Sequence, residues 1–483
     1  MTVLGLVAAN ACSPRVSQLP DDEGDGGEAP LPEPSFTVGA AGVTVDHVTL
    51  LQGPERVLAA EGEIQESDVP IIQGRDTLIR GYYRTTPERV GTRALARLEL
   101  PGRPALEQEI MLSARSTPDV LGSTANFLVP GEDVGESFLY RFSILGSGEV
   151  DHPQAHHPSA GLEAHWVEGR PNTMRVMLVP FAYHADGSGR VPVLDATEIE
   201  AYRQRLLQLF PVSKVEIAVR EPISWSGDLD PTGVGWAELH TKLLATREQE
   251  KASDDWYYYG VFQPTETMIQ FCQGGCLLGL SVKGPPPQNA DLRLAIGVGY
   301  PEVAPDTASH ELGHTHGLRH APCGNGIDPN TLDLDFPYDG GSIGRWSWDI
   351  VNHKLVDPGL FTDFMGYCDR PWISDYHYRG LFLRAQAINQ PALKPPPPHP
   401  WLAVTLDGHG QVLARQILHQ APLALPGALP VSLGGGASDG LEVMAHRLDY
   451  DHLDGSLVLI PLPEPGATSA TLDLDGQQIV IDL

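Results

Sequence analysis

Residues 310–320 read HELGHTHGLRH, the pattern H-E-x-x-H-x-x-G-x-x-H. At this chain's own His and Gly frequencies, a chance match has odds on the order of one in ten thousand. His310 and His314 stand one helical turn apart, so both imidazoles leave the same face. Gly317 lets the chain leave the helix with positive φ, and the turn returns His320 to the pair. Three imidazoles so placed suit Zn2+, which at a catalytic site takes three protein ligands and keeps one position for water. Glu311 adjoins the first ligand. Zinc lowers the water pKa toward about 7, and Glu311 is placed to take the proton and pass it to a leaving nitrogen. His316, two residues past His314, points to the opposite side of the helix and is read as structural, or as support for a ligand.

An isolated HExxH is weak, and the other large class of HExxH sites draws its third ligand from a downstream Glu. Here the first Glu after Glu311 is Glu442, beyond the proline-rich stretch KPPPPHP at 394–400, so that class is not expected. Asp328, Asp333, Asp335 and Asp339 offer carboxylates, but His320 already stands at the required place. The same stretch, Asp328–Asp339, crowds enough oxygen donors to be a candidate Ca2+ site, although it lacks the EF-hand pattern and a solvated loop is the simpler reading.

Outward from the motif, the preceding segment alternates strand and helix. Met174–Pro180 is a continuous apolar strand, Ala196–Phe210 has helical spacing, and Val215–Val219 is a strand. Gly235–Gln249 is a helix and Trp256–Phe262 a strand. That order implies a mainly parallel sheet with covering helices. Short segments between Val43 and Leu145 (Ile71–Tyr83, Arg93–Leu100, Glu109–Leu112, Asn126–Val129 and Phe138–Leu145) are separated by Gly, Pro and Asp turns and predict a β-sandwich. Such a unit can bind substrate, act as a spacer or cover a site before activation. Beyond the proline linker, Trp401–Leu406, Gln411–Leu418, Ser456–Leu462, Thr471–Leu474 and Gln478–Ile481 predict a second small β unit, with Asp475-Gly476 as a hairpin turn. The fold class is therefore multidomain α/β plus β: a 37–168 β-sandwich domain, a 169–393 central domain, a 394–400 linker and a 401–483 β domain, also expected to be sandwich-like.

The whole chain has 483 residues and a net charge of −30, which disfavours nucleic acid and anionic lipid as partners. It contains no run of 18 apolar residues, so no transmembrane span is expected. Residues 1–12, MTVLGLVAANAC, resemble the end of a bacterial lipoprotein signal, with Cys12 as the lipidation candidate and hence a candidate lipid anchor. No Lys or Arg precedes the apolar stretch, and a plain apolar N-terminus fits the same residues. Residues 13–36 are rich in Pro, Gly, Asp and Glu and read as a flexible tether. Without Cys12, four cysteines remain: Cys272, Cys276, Cys323 and Cys368. An even number suggests two disulfides in an exported chain, with three pairings open.

With Asp363-Phe364-Met365-Gly366-Tyr367-Cys368 standing 45 residues past His320, the chain resembles the metzincins, zinc endopeptidases named for a methionine turn beneath the metal. The resemblance covers roughly residues 172–390. It implies a catalytic domain with a twisted, mainly parallel sheet, a zinc helix and a Met-turn at Met365. It further implies Tyr367 as an extra zinc ligand or transition-state donor, a structural tyrosine being the plainer alternative. Leu277–Val282 resembles the edge strand along which such enzymes align extended substrate. A zinc helix and Met-turn that meet at the metal favour the pairing Cys323–Cys368, with Cys272–Cys276 closing a small loop. SHELGHTHGLRHAPCG, FPYDGGSIGRWSWDI and DFMGYCDRPWISDY look most like bacterial secreted StcE-like, mucin-cleaving enzymes. This likeness implies a protein or glycoprotein substrate and an exported, extracellular or cell-envelope setting. The chain is expected to act as a monomer. Two rival functions stay open: a catalytically inactive surface-binding or adhesion protein, which intact Glu311 argues against, and a zinc hydrolase of small substrates.

Overall fold

A computed structural model describes residues 35–169, 172–285, 289–324, 327, 329–389, 400–419, 428–435, 439–462, 467–474 and 476–483. Cys12, nearly all of the 13–36 tether, Asp328, positions 394–399 and Asp475 lie outside the described residues.

The central unit is built on strands β1 (Thr173–Tyr183), β2 (Lys214–Val219), β3 (Trp256–Phe262), β4 (Gly279–Ser281) and β5 (Leu294–Val298). They run in the order β2-β1-β3-β5-β4. The first four in that order are parallel, and β4 lies antiparallel to β5 at the edge. Helices α1 (Ala196–Leu209) and α2 (Trp236–Glu250) connect the parallel strands, as the alternating pattern predicts. Asp195 caps α1 by accepting from Thr197 N at 2.8 Å and Glu198 N at 3.0 Å. Helix α3 (Ala304–Thr315) carries the motif, and α4 (Asp375–Asn389) closes the unit. Between them Tyr202, Leu206, Tyr259, Leu312, Met365 and Tyr378 share one buried core.

The N-terminal unit has the expected two sheets. One contains Val38–Gly39, Ser137–Gly146, Arg93–Glu99 and Leu106–Met111; the other contains Glu63–Ile64, Glu55–Ala60, Val43–Leu51, Thr77–Thr85 and Ala125–Val129. Val48, Leu50, Ile79, Leu98, Phe127 and Phe142 fill the space between. The strand expected from Ile71 starts at Thr77, because Ile72 instead bridges to Gly169 at the border of the central unit.

The C-terminal unit departs from a two-sheet sandwich. Its strands are β6 (Trp401–Asp407), β7 (Val412–Leu418), β8 (Ala428–Gly434), β9 (Glu442–Asp449), β10 (Gly455–Pro461), β11 (Ser469–Leu474) and β12 (Gln477–Asp482). They form one antiparallel sheet in the order β7-β6-β10-β9-β8-β11-β12. The side chains of β6 alternate. Leu402, Val404 and Leu406 join this unit's own core, while Ala403 faces a second core shared with α2 and the central sheet. Leu418, Leu448, Tyr450, Leu457 and Leu459 belong to that same shared core, beside Trp236, Leu243, Leu280 and Val282.

Candidate functional site

Helix α3 ends as the motif requires. Gly317 has φ of 93°, its N–H donates to His314 O at 2.8 Å, and Leu318 N donates to Gly313 O at 3.1 Å. This is a Schellman turn, and it bends the chain so that His320 returns to the helix. The three imidazoles then converge. His314 Nε2 lies 3.2 Å from His310 Nε2 and 3.1 Å from His320 Nε2. On the far side of each ring, His310 Nδ1 faces Phe364 O at 2.9 Å, His314 Nδ1 faces Leu318 O at 2.9 Å and His320 Nδ1 faces Thr331 Oγ1 at 2.7 Å. A carbonyl only accepts, so Nδ1 of His310 and His314 carries the proton and Nε2 presents a bare lone pair. Burial lowers all three imidazoles, to about 3 for His310 and about 4 for His314, which keeps them neutral. Converging lone pairs repel unless a cation sits between them, and a tetrahedral N-ligand set is what zinc takes. The donors therefore fit the metal that the spacing predicts. His316 is not among them. It bonds Leu312 O at 2.6 Å and stacks on Tyr257 at 4.5 Å between centroids.

Met365 is fully buried beneath the helix, and a Cβ on Gly313 would strike its sulfur. Asp363 holds this turn, accepting from Met365 N at 2.9 Å, Ser374 N at 3.0 Å and His377 Nδ1 at 2.8 Å. Cys323 and Cys368 are paired, as are Cys272 and Cys276, with Cα separations of 5.6 and 4.9 Å. The first bridge ties the segment after His320 to the segment after Met365.

Glu311 packs against β4. Ser281 Oγ donates to its Oε2 at 3.0 Å, and any side chain on Gly279 would collide with its carboxylate. His310, Glu311, His320, Tyr367 and Gly279 line one open cavity of about 660 Å³. Among the described residues the N-terminal unit contributes nothing to its lining.

The C-terminal unit does contribute. The turn between β9 and β10 brings Asp451 and His452 to the motif. Asp451 Oδ2 lies 3.3 Å from His314 Nε2 and 3.0 Å from His452 Nε2. His452 Nε2 lies 3.4 Å from Glu311 Oε1, and its Nδ1 is 2.9 Å from Tyr367 Oη, which is itself 3.0 Å from His320 Nε2. Burial, and then the Asp451 carboxylate, push Glu311 upward. Burial also works against an ionised Asp451, yet His452 holds it below the usual carboxylate range. A carboxylate from beyond the proline linker thus reaches the motif, but it is Asp451 and not Glu442, and the three histidines converge without it. The edge strand is also not wholly free. Val282 bridges antiparallel to Tyr450, Lys283 N donates to Asp449 O at 2.9 Å and Asp451 N donates to Ser281 O at 3.2 Å. An extended ligand could therefore pair only nearer Gly279.

The groups of described residues that could hold a metal are His310, His314, His320 and His452, and Glu311, His314, Asp451 and His452. Asp333, Asp335 and Asp339 form no such group; Asp333 accepts from Asp335 N at 3.0 Å and faces His377. Sequence reading passed over Asp451 and His452. Their only local sign is an acid–His pair in the turn YDHLDG at 450–455. No described helix is long and apolar enough to cross a membrane. No family model and no curated protein matches the chain.

Proposed function

We propose that this chain is a zinc metalloendopeptidase of the metzincin type, with His310, His314 and His320 as ligands and Glu311 as general base. The observation that carries the reading is the convergence of three neutral imidazole nitrogens at 3.1 to 3.2 Å beside a buried carboxylate, on the wall of an open cavity. A zinc ion held there would supply Lewis acidity to a water and to a substrate carbonyl. Glu311 takes a proton from the attacking water as its oxygen bonds to the carbonyl carbon. The same carboxyl returns that proton to the amide nitrogen as the C–N bond breaks, so one group serves as base and then acid. Tyr367 Oη reaches into the cavity beside His320, where it can donate to the oxygen that becomes anionic. Gly279, whose N–H and C=O point outward by antiparallel alternation, offers the main-chain bonds that align an extended peptide. Sheet order, the antiparallel edge strand, and Met365 under the helix support the family reading. The narrower StcE-like likeness points to O-glycosylated proteins as substrates, delivered to an exported enzyme.

The experiment compares the zinc-loaded chain with Glu311→Gln on protein and glycoprotein libraries, with bound metal measured in both. The expected result is one zinc per chain in each and cleavage only by the parent. Equal cleavage by both, or zinc binding undiminished in His320→Ala, would overturn the reading. Cleavage confined to O-glycosylated proteins would support the narrower assignment, and equal cleavage of unglycosylated ones would remove it.

A further inference from the structure

We propose that Asp451 and His452 form a positioning dyad for Tyr367, so that the C-terminal sheet is an obligatory part of the active site. This inference rests on the peptidase reading above.

Four groups stand in line. Asp451 Oδ2 is 3.0 Å from His452 Nε2, His452 Nδ1 is 2.9 Å from Tyr367 Oη, and Tyr367 Oη is 3.0 Å from His320 Nε2. Asp451 has no exposed side-chain surface, and its other oxygen accepts from Ser281 N at 3.0 Å, so it is a fixed anchor. A carboxylate only accepts, so the facing Nε2 carries its proton and Nδ1 is turned on Tyr367. Tyr367 is 40% exposed, its ring lies beside those of His310, His320 and His452, and its oxygen is held between His452 and His320. His452 therefore decides where the Tyr367 hydroxyl stands relative to the metal site.

Two other roles for His452 fit less well. As a fourth metal ligand it would have to give up one of its two contacts, Nε2 with Asp451 or Nδ1 with Tyr367. As a removable plug it would need a hinge, but the turn grows from a sheet that shares a core with the central unit. Tyr450, the residue before Asp451, is buried with Leu280 and Val282 on one side and packs edge-on against His240 at 5.4 Å. Moving the turn would open that core to water. The dyad is a wall of the cleft.

The test uses the full chain loaded with zinc. His452→Ala lowers kcat about 10- to 100-fold, as loss of an orienting partner does, with KM within about 2-fold and zinc content unchanged. Tyr367→Phe lowers kcat by about 10²- to 10³-fold, and adding His452→Ala to it lowers kcat no further. His452→Asn, which returns a polar atom near the Nδ1 position, recovers part of the loss. Affinity for a phosphonate peptide, a mimic of the tetrahedral oxyanion, falls in parallel with kcat, while affinity for the uncleaved peptide, measured in the Glu311→Gln background, does not. A rise in activity on His452→Ala would make the turn a plug, loss of zinc would make His452 a ligand, and additive effects with Tyr367→Phe would remove the coupling; each overturns the dyad. A parent chain that cleaves nothing and binds no phosphonate peptide sinks the peptidase reading itself, whereas an active parent indifferent to His452→Ala sinks the dyad alone.

Discussion

The two flanking β units both dock on the central unit, yet among the described residues only one of them lines the candidate cavity. The N-terminal unit is joined by an apolar cluster of Leu51 and Leu78 on Trp348, by an antiparallel bridge from Pro54 to Ser347 and by polar anchors. Arg75 is buried, forms no ion pair among the described residues, and donates to Gln52 O at 2.6 Å, Leu207 O at 2.8 Å and Val212 O at 2.5 Å. Two of these carbonyls lie at or just past the C-terminal end of α1, where backbone acceptors are left over and positive charge is favoured. Arg56 adds an ion pair to Glu168 at 2.7 Å. The C-terminal unit is joined through apolar surface and strand pairing, and it delivers two polar side chains into the cleft. Among the described residues, one seam leaves its neighbour outside the candidate cavity; the other makes its neighbour part of the lining. A flanking domain's share in function is thus read from what crosses the seam.

That contrast can be broken by substitution. Tyr450→Ala empties a core position at the C-terminal seam and is expected to cost about 4 to 5 kcal/mol, measured by urea unfolding. Turnover per folded molecule should fall as well, because Asp451 and His452 follow directly. Arg75→Ala strips three carbonyls of their donor and is expected to cost about 3 to 4 kcal/mol, but kcat per folded molecule should stay at the parental value. If Arg75→Ala changes kcat as much as Tyr450→Ala does, the two seams are not different in kind.

A third measurement supplies a reference inside the central unit. Burial opposes charge on His377, but Asp363 and Asp333 together outweigh it and raise the imidazole to about 9. With an unfolded value near 6.5, this pair stabilises the fold fully below about pH 6.5, and its contribution is lost as pH rises through about 9. The loss is on the order of 3 kcal/mol. Melting curves from pH 6 to pH 10 should show it in the parent and in both seam variants, and His377→Gln should abolish it. The smallest effect expected is that of Ser281→Ala. Removing the hydroxyl that donates to Glu311 Oε2 should cost about 1 kcal/mol and change activity a few-fold, a split that stability and initial-rate measurements resolve.

Much of the site could be read from the chain because its geometry is local. His310, Glu311, His314 and His320 fall within eleven residues, and a helix plus one glycine turn sets their positions. The strand–helix alternation before them was equally legible, since apolar periodicity reports which face is buried; Trp256–Phe262 and Ala196–Leu209 fall where the pattern puts them. Met365 and the Cys323–Cys368 bridge were reached by resemblance. In the C-terminal unit the reading was poorer. Strand β9 was not anticipated, because its apolar residues do not share one face: Val443 and Ala445 serve this unit's own core, Leu448 the shared core, and Met444 is exposed.

By itself, then, the sequence marked out the proposed ligand set, the proposed base and the alternation of strand and helix, each of which depends on residues a turn or a strand apart. Only the tertiary structure decided that Asp451 reaches Ser281, 170 residues earlier, and that His452 stands over Tyr367. That meeting depends on one antiparallel bridge and on apolar surface shared by two units. Neither leaves a period or a spacing in the chain, because hydrophobic burial is non-directional and strand pairing joins whatever edges the fold brings together.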